Sequence, residues 1–367
     1  MRVLVVTVVH VPLDARIHHR QIRALRRADV DVTYAAPWSA TGTPPSTAAA
    51  GVVTRDLPRA QGRRRLTALR AARRLMAELG PAHDLILLHD PELVLAVRGR
   101  LADLPPVVLD VHEDLPASLV DRPWVPGAAR PLAERGARRL ESWAEGHLHL
   151  LLAEDAYRER FRRPHPVVPN LPWLPADVPP AGSADRVVHV GRLSVGRGAR
   201  ELLALGERLT AAGGPSLVLA GPADGEVADA VARAHAGGTV SWHGLLPNDE
   251  ALALVRGAVA GLALLHDLPN YRVSLPTKIV EYLAHGVPAI ATPLPVAREV
   301  IEASGGGLLV PFEDVDAVVA AVDRLATQEE ERRRLGDAGR VYVAAAHSWD
   351  AAAPTFVAHL RAVAGVT

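Results

Sequence analysis

The chain has 367 residues, of which 49% are apolar and 22% charged, a balance typical of globular proteins and unlike that of disordered or fibrous chains. It has no cysteine, which excludes disulfide scaffolds, Fe–S clusters and thiol nucleophiles, and its 41 basic and 41 acidic side chains leave no net charge to hold nucleic acid. No apolar run reaches the roughly 20 residues of a membrane span, and the N-terminus lacks a signal-peptide cleavage site, so we expect a cytoplasmic protein.

Short apolar strands alternate with helical segments in the first half of the chain. The predicted strands are Arg2–Val9, Val30–Ala36, Asp84–Leu88, Val107–Asp110, His147–Leu152 and Val167–Pro169. The helices predicted between them are Ala15–Arg27, Arg64–Leu79, Pro91–Arg100 and Pro131–Glu145. This alternation predicts an α/β domain with a parallel sheet covered by helices on both faces.

A proline-rich segment, residues 171–186, interrupts the alternation and predicts a linker between domains. After it the strands resume, and three helical stretches follow from about residue 315 to 363. These later strands are Val187–Val190, Ser216–Ala220, Thr239–Trp242, Gly261–Leu265, Ala289–Ala291 and Gly307–Val310. The pattern predicts two doubly wound, Rossmann-like domains, residues 1–170 and 187–345, facing across a cleft, with residues 346–367 forming a helix that packs back toward the first domain.

The segment Ser274–Pro288, SLPTKIVEYLAHGVP, is the richest in chemistry. The segment predicts a helix that Ser274 caps and that has Pro276 in its first turn. The free N–H groups of that first turn favour binding of an anion. Lys278 is unfavourable for the helix dipole there unless a phosphate binds, and Glu281 lies three residues further on, able to accept hydrogen bonds from a ribose diol. The alternative is a surface Lys–Glu pair, but Lys278 is the single lysine in a chain that otherwise uses arginine.

A second segment, Val187–Leu203, has a strand, a glycine-containing turn and a helix in succession. Gly191 allows a close backbone approach, and Arg192 and Arg197 flank the turn, where they could clamp a diphosphate. The alternative is two ordinary arginines in an arginine-rich chain.

Polar residues also follow two predicted strands of the first half, at the carboxyl ends that line a cleft in such sheets. These candidates are His10, Asp14 and Arg16 after the first strand, and Asp110, His112 and Glu113 around the end of the fourth. The alternatives are a helix capped by Asp14 and, at the fourth strand, a run of acids at a helix start.

The segments Ser274–Pro288 and Val187–Leu203, together with DVHE at 110–113, resemble the corresponding motifs of the retaining nucleotide-sugar glycosyltransferases of the GT-B fold, family 4. The resemblance implies that the C-terminal domain binds the nucleoside diphosphate sugar and the N-terminal domain the acceptor. It implies catalytic roles for His112 beside the donor sugar and for Arg192 and Lys278 at the diphosphate, with Glu281 on the ribose. The implied donor-binding residues are Gly191, Arg192, Arg197, Ser274, Leu275, Pro276, Thr277, Lys278 and Glu281, and His10, Asp14, Arg16, Asp110 and Glu113 stand on the acceptor side.

The sequence departs from that family at Val273, where many members carry a glutamate eight residues before the ribose glutamate. Either the donor sugar lacks a hydroxyl or backbone N–H groups near Val273–Leu275 replace the carboxylate. Two other functions stay open: a GT-B epimerase or phosphorylase, and a nucleotide-sugar-binding subunit with weakened catalysis.

We expect no metal ion, because cationic side chains would stabilise the negative charge of the diphosphate. We also expect no cofactor, since the nucleotide sugar is a co-substrate. The acceptor stays open among polysaccharide, lipid-linked and secondary-metabolite hydroxyls, as do the base, the sugar and the oligomeric state. Eight arginines between Arg55 and Arg74 form either a solvated helix face or a patch for an anionic acceptor or a peripheral membrane contact.

Overall fold

The computed structural model describes residues 1–112, 130–178 and 185–366, and it divides into two compact units. The first unit comprises Met1–Asn170 and Ala352–Thr367, and the second comprises Leu171–Ala351. Glu113, one of the acceptor-side candidates, lies outside the described residues.

A six-stranded parallel sheet forms the centre of the first unit, in the order β3-β2-β1-β4-β5-β6. Its strands are β1 (Arg2–Val6), β2 (Asp31–Ala36), β3 (Val52–Asp56), β4 (Leu85–Leu88), β5 (Val107–Val111) and β6 (His149–Leu152). The helices are α1 (Arg23–Arg27, after a π-helical turn Ile17–Ile22), α2 (Trp38–Thr41), α3 (Arg65–Leu79), α4 (Leu93–Val97) and α5 (Arg130–His147). Strand β4, LILL, is buried throughout, as expected for a strand covered on both faces.

One strand of this unit was not predicted, and one predicted strand is absent from the described residues. Strand β3, with the sequence VVTRD, was missed because it is an edge strand whose residues are half-buried or exposed, so it lacks the apolar run of a central strand. Val167–Pro169 is not a strand: Val167 makes one isolated bridge to Leu152. Pro166 and Pro169 on either side lack the N–H groups that a longer ladder would need.

A second parallel sheet of six strands, in the order β12-β11-β10-β7-β8-β9, forms the centre of the second unit. Its strands are β7 (Arg186–Val190), β8 (Ser216–Ala220), β9 (Ser241–Trp242), β10 (Gly261–Ala263), β11 (Ala289–Ala291) and β12 (Gly307–Leu309). The helices are α6 (Ala199–Ala212), α7 (Gly225–Ala236), α8 (Asn248–Val255), α9 (Pro269–Arg272), α10 (Thr277–Ala284), α11 (Pro295–Ser304), α12 (Val315–Thr327) and α13 (Glu329–Ala346).

The strand order places a topological switch point in each sheet. The first strand of each sheet, β1 or β7, pairs with the next strand in sequence on one side and with a later strand, β4 or β10, on the other. Connections therefore leave in opposite directions at these strands, and their carboxyl ends are where an open α/β sheet forms its ligand crevice.

The last helix, α14 (Trp349–Ala364), begins in the second unit and continues into the first. Within the first unit, the Arg361 guanidinium donates a hydrogen bond to the Ala28 carbonyl oxygen at 3.1 Å. None of the helices in the described ranges is both long and apolar enough to cross a membrane.

Candidate functional site

In the second unit, the turn after β7 lies directly against the lysine of α10. Gly191 has φ = 131°, and a Cβ atom placed on it would lie 3.3 Å from Nζ of Lys278. A side chain at residue 191 would therefore be strained and would also crowd the ammonium group. Lys278 itself is 6% exposed, so its charge is presented to the Gly191 turn and not to bulk solvent.

His189 holds the other side of the Lys278 ammonium. Its Nε2 lies 3.2 Å from Nζ of Lys278, and its Nδ1 lies 3.1 Å from the carbonyl oxygen of Leu262. Because a carbonyl oxygen only accepts, Nδ1 carries the proton and Nε2 accepts from the ammonium. Burial, and next the charge of Lys278, hold the pKa of His189 well below its usual value, so the ring is neutral.

Burial, and next the positive charge of Arg197, lower the pKa of Lys278 to about 7, although the Glu281 carboxylate partly offsets both effects. A bound anion would therefore strongly favour the charged form of Lys278 at neutral pH.

Sequence reasoning missed His189, and the available signal was a polar residue inside the otherwise apolar strand sequence VVHV.

Helix α10 is fixed against the sheet by Tyr282, whose hydroxyl accepts from the Val190 N–H at 3.0 Å and donates to the Leu262 carbonyl at 3.3 Å. The expectation that Ser274 caps this helix was wrong. The N-cap residue is Pro276, and no side chain of the described residues caps it. The Ile279 N–H donates to the Pro276 carbonyl oxygen at 2.8 Å, which leaves the N–H groups of Thr277 and Lys278 for a ligand. Glu281, one turn along, is 8% exposed.

The two arginines of the turn differ in their surroundings. The Arg192 guanidinium contacts the Asp224 carboxylate, and its side chain is 57% exposed. The Arg197 guanidinium lies over the ring of Tyr271, 5.6 Å from its centroid, and its charge acts on Lys278. The structure thus brings Gly191, Arg197 and Lys278 together, with Arg192 held by Asp224 at the start of the turn.

Val273 follows helix α9 as its C-cap residue and is 51% exposed. An exposed apolar side chain there offers no hydrogen bond to a sugar hydroxyl. The neighbouring Arg272 is engaged elsewhere, since it donates to both carboxylate oxygens of Asp267, at 2.5 and 2.7 Å.

In the first unit, Asp110 at the end of β5 is the centre of a buried polar cluster. Arg16 donates to its two oxygens at 2.7 Å each, and the Gln21 amide donates at 3.1 Å. Burial raises the pKa of Asp110, but the charge and hydrogen bonds of Arg16 outweigh it and hold that pKa well below its usual value. Asp14 accepts from the Arg16 and Ile17 N–H groups at 2.8 and 3.0 Å, so it caps the helical turn, as one interpretation predicted.

His10 and His112 meet in this cluster, with their Nε2 atoms 3.0 Å apart. His10 also lies 3.3 Å from the carboxylate of Asp90, a residue that sequence reasoning missed. Asp90 accepts from the Val8 and Val9 N–H groups at 2.5 and 3.2 Å, which ends β1 at Val6 where a strand to Val9 was expected.

His89 and Asp90 follow the buried strand β4 as the His112 segment follows β5, so the same rule applied to LILLHD would have found them. His89, Asp110 and His112 offer ligand atoms that all lie within 4.8 Å of one another. Arg16 already occupies both oxygens of Asp110, however, so this donor set fits an ion-pair network better than a cation.

Residues 176–342 match the sequence model of a protein family described as "Glycosyl transferases group 1". A comparison with curated protein sequences found no match. The family match covers most of the second unit, including the Gly191 turn and helix α10.

Solved structures of similar fold span nearly the whole chain. Sucrose-phosphate synthase from Thermosynechococcus elongatus is 18% identical over 99% of this chain and 98% of its own, with a TM-score of 0.71. HepE from Anabaena, solved with UDP-glucose, is 14% identical over 99% of this chain and 100% of its own, with a TM-score of 0.72. An α,α-trehalose 6-phosphate synthase from Burkholderia multivorans is 17% identical over 100% and 99%, with a TM-score of 0.66. These likenesses show the fold, the two-domain, Rossmann-like GT-B type.

Proposed function

We propose that this chain is a glycosyltransferase that transfers a sugar from a nucleoside diphosphate sugar to an acceptor hydroxyl with retention of configuration. The match of residues 176–342 to the glycosyl transferases group 1 model and the GT-B fold of the chain support this proposal. The second unit binds the donor and the first unit binds the acceptor. The solved HepE structures contain UDP or UDP-glucose, which makes UDP the first nucleotide to test.

One observation carries this proposal: a buried lysine beneath a glycine turn, at the open N-terminus of a helix. Lys278, Arg197 and the N–H groups of the first turn of α10 concentrate positive charge at the end of β7. Such a place favours the two phosphates of a nucleotide. We assign Glu281 to the ribose hydroxyls and residues Ser274–Thr277 to the walls of the same site.

The reaction breaks the bond between the anomeric carbon and the β-phosphate oxygen, and the electron pair leaves with the diphosphate. Lys278, Arg192 and Arg197 stabilise that developing negative charge, a contribution of a few kcal/mol for each such contact in a site closed to water. The acceptor oxygen bonds to the anomeric carbon on the face that the diphosphate leaves, and the acceptor proton goes to a phosphate oxygen. This scheme needs neither a protein nucleophile nor a metal ion, and His112 supports the sugar ring.

The basic stretch near α3 divides into two groups. Arg73 donates to the carbonyl oxygens of Ala96 and Arg98, both at 3.1 Å, and Arg65 pairs with Glu92 at 2.9 Å, so these two arginines hold α3 in place. The exposed arginines Arg63, Arg64, Arg70 and Arg74 are free of that role, and we propose them as the contact for an anionic acceptor or a membrane surface.

The test is calorimetric titration of the full chain with UDP, followed by turnover of UDP-glucose with a panel of acceptors. Lys278→Met should lower turnover at least about 10²-fold while the circular dichroism spectrum stays the same. Turnover near that of the unmodified chain would remove the leaving-group argument. Release of free sugar or an epimer without any acceptor would favour the epimerase or phosphorylase alternative, and UDP binding without turnover would favour a catalytically weakened subunit.

A further inference from the structure

The first unit contains a cavity of about 290 Å³ at the carboxyl ends of β1, β4 and β5, closed on one side by helix α5. Most of its wall is apolar, formed by Leu95, Leu109, Val111, Ala137 and Leu140. Of these, Leu95 is 47% exposed, whereas Leu109 and Ala137 are buried. An apolar cavity of this kind next to the switch point of the sheet has the character of a ligand pocket.

His89 is one of the polar residues that line this cavity. Its side chain is fully buried, and within the described residues neither of its ring nitrogens has a partner in hydrogen-bond geometry. Its Nδ1 lies 3.2 Å from the Asp110 carboxylate, which favours the proton on Nδ1 and leaves Nε2 as an acceptor. Burial lowers the pKa of His89, so the ring is neutral and Nε2 keeps its lone pair.

A buried acceptor without a partner is costly, and a ligand with an O–H group would satisfy it. We propose that this cavity binds the acceptor substrate through an aromatic or alicyclic ring whose hydroxyl group donates a hydrogen bond to Nε2 of His89. The word acceptor here rests on the proposed function, but binding of the ring does not require turnover.

The cavity size agrees with this class of ligand. An engineered apolar cavity of about 150 Å³ is known to hold benzene, so a cavity near twice that volume has room for a substituted ring. A sugar ring suits the apolar part of the wall less well, because hydroxyl groups against Leu109, Val111 and Leu140 would lose their hydrogen bonds to water without replacement.

Gly136 provides a test, because this exposed residue of α5 lines the cavity and a Cβ atom there would meet nothing within 4 Å. Gly136→Phe should fill the cavity, whereas Gly136→Ala should leave it open and serve as the matched control. We expect calorimetric titration with p-cresol to show binding to the unmodified chain and to Gly136→Ala, with at least a tenfold loss in Gly136→Phe. Equal p-cresol affinity in all three proteins would overturn the proposal.

The role of His89 is tested by the ligand pair p-cresol and toluene, which differ by the hydroxyl group. One neutral hydrogen bond corresponds to roughly a 3–10-fold preference for p-cresol in the unmodified chain. His89→Leu should abolish this preference while toluene still binds. A preference that survives in His89→Leu, or methyl α-glucoside binding as tightly as p-cresol, would contradict the assignment.

UDP titrations on the same samples separate this inference from the proposed function. UDP binding without any p-cresol binding would refute the cavity ligand alone. Binding of p-cresol to a chain that binds no nucleotide would refute the glycosyl transfer, and the cavity would then be a ring-binding site of another activity.

Discussion

The ammonium nitrogen of Lys278 lies 3.2 Å from Nε2 of His189, and both side chains are buried. A neutral imidazole satisfies one hydrogen of the ammonium but brings no negative charge. The remaining attraction comes from Glu281 and is opposed by Arg197. His189 therefore does not neutralise the positive charge of Lys278, and a bound anion could.

The affinity for UDP should fall as the pH rises from 7 to 9. Lys278 titrates near pH 7 in the free protein, and a bound diphosphate raises its pKa, so binding takes up a proton above pH 7. The limiting slope is about one decade in affinity for each pH unit. Calorimetric titrations in buffers of different ionisation enthalpy would measure both the affinity and the proton uptake.

Lys278→Met is the control for that experiment, because it removes the titrating group and leaves the UDP phosphates unchanged. Its UDP affinity should be weaker at pH 7 and nearly flat up to pH 9. If the variant kept the same pH dependence as the unmodified chain, another group would be responsible.

Gly191→Ala should weaken UDP binding at least tenfold, because the new methyl group would sit 3.3 Å from the lysine nitrogen in a backbone conformation that alanine avoids. Gly213→Ala is the matched control, since Gly213 also has a positive φ, 66°, but a Cβ there would meet nothing within 4 Å. Both variants should lose about 1 kcal/mol of stability, measured by urea unfolding. Equal UDP affinities in the two would show that the Gly191 approach to Lys278 does not matter for binding.

Arg192→Ala should reduce the turnover number about 10²-fold, as expected for loss of a charge contact to a leaving group. Arg200→Ala is the control, because Arg200 forms a comparable exposed pair with Glu226 at 3.4 Å. The comparison uses initial rates at saturating donor, and similar rates for the two variants would place the Arg192–Asp224 pair outside the reaction.

Asp110→Asn should destabilise the chain by about 3–5 kcal/mol at pH 7, because it leaves the buried Arg16 charge without its partner. Asp103→Asn, which affects an exposed pair with Arg100, should cost less than about 1 kcal/mol. Urea unfolding at pH 7 compares the two, and equal losses would mean that the buried network adds little.

The same carboxyl group predicts an acid dependence. Its pKa in the folded chain is depressed, so its contribution to stability is complete above the ordinary pKa near 4 and is lost as the pH falls through the folded value. Between pH 4 and pH 2 the unmodified chain should therefore lose more stability than Asp110→Asn does. Parallel losses in the two proteins over that range would contradict this sign.

The sequence predicted the fold well where strands are buried on both faces, because short, continuous apolar runs such as VLVV and LILL are typical of such strands. It failed where polar groups decide the outcome. Asp90 ends β1 by taking two backbone N–H groups from a strand that looks apolar through Val9. A carboxylate 82 residues away in sequence cannot be placed by periodicity.

Sequence motifs identified the donor-side candidates but did not predict which residues they contact. Lys278 was expected in the first turn of a helix, but its contact with His189 joins α10 to β7 across 89 residues of sequence, which no local pattern predicts. Arg192 and Arg197 look alike in sequence, and only the fold shows that one contacts Asp224 and the other lies over Tyr271.

Helix α14 makes the first unit discontinuous along the chain, because residues after Ala351 return to it. An expressed fragment that stops at residue 170 would lack the part of α14 that belongs to the first unit, including the Arg361 side chain that donates to the Ala28 carbonyl oxygen. The second unit, in contrast, is one continuous segment, Leu171–Ala351. The second unit can therefore be expressed from one continuous segment of the gene, whereas the first unit can be expressed alone only by deleting that segment and joining the two flanking segments.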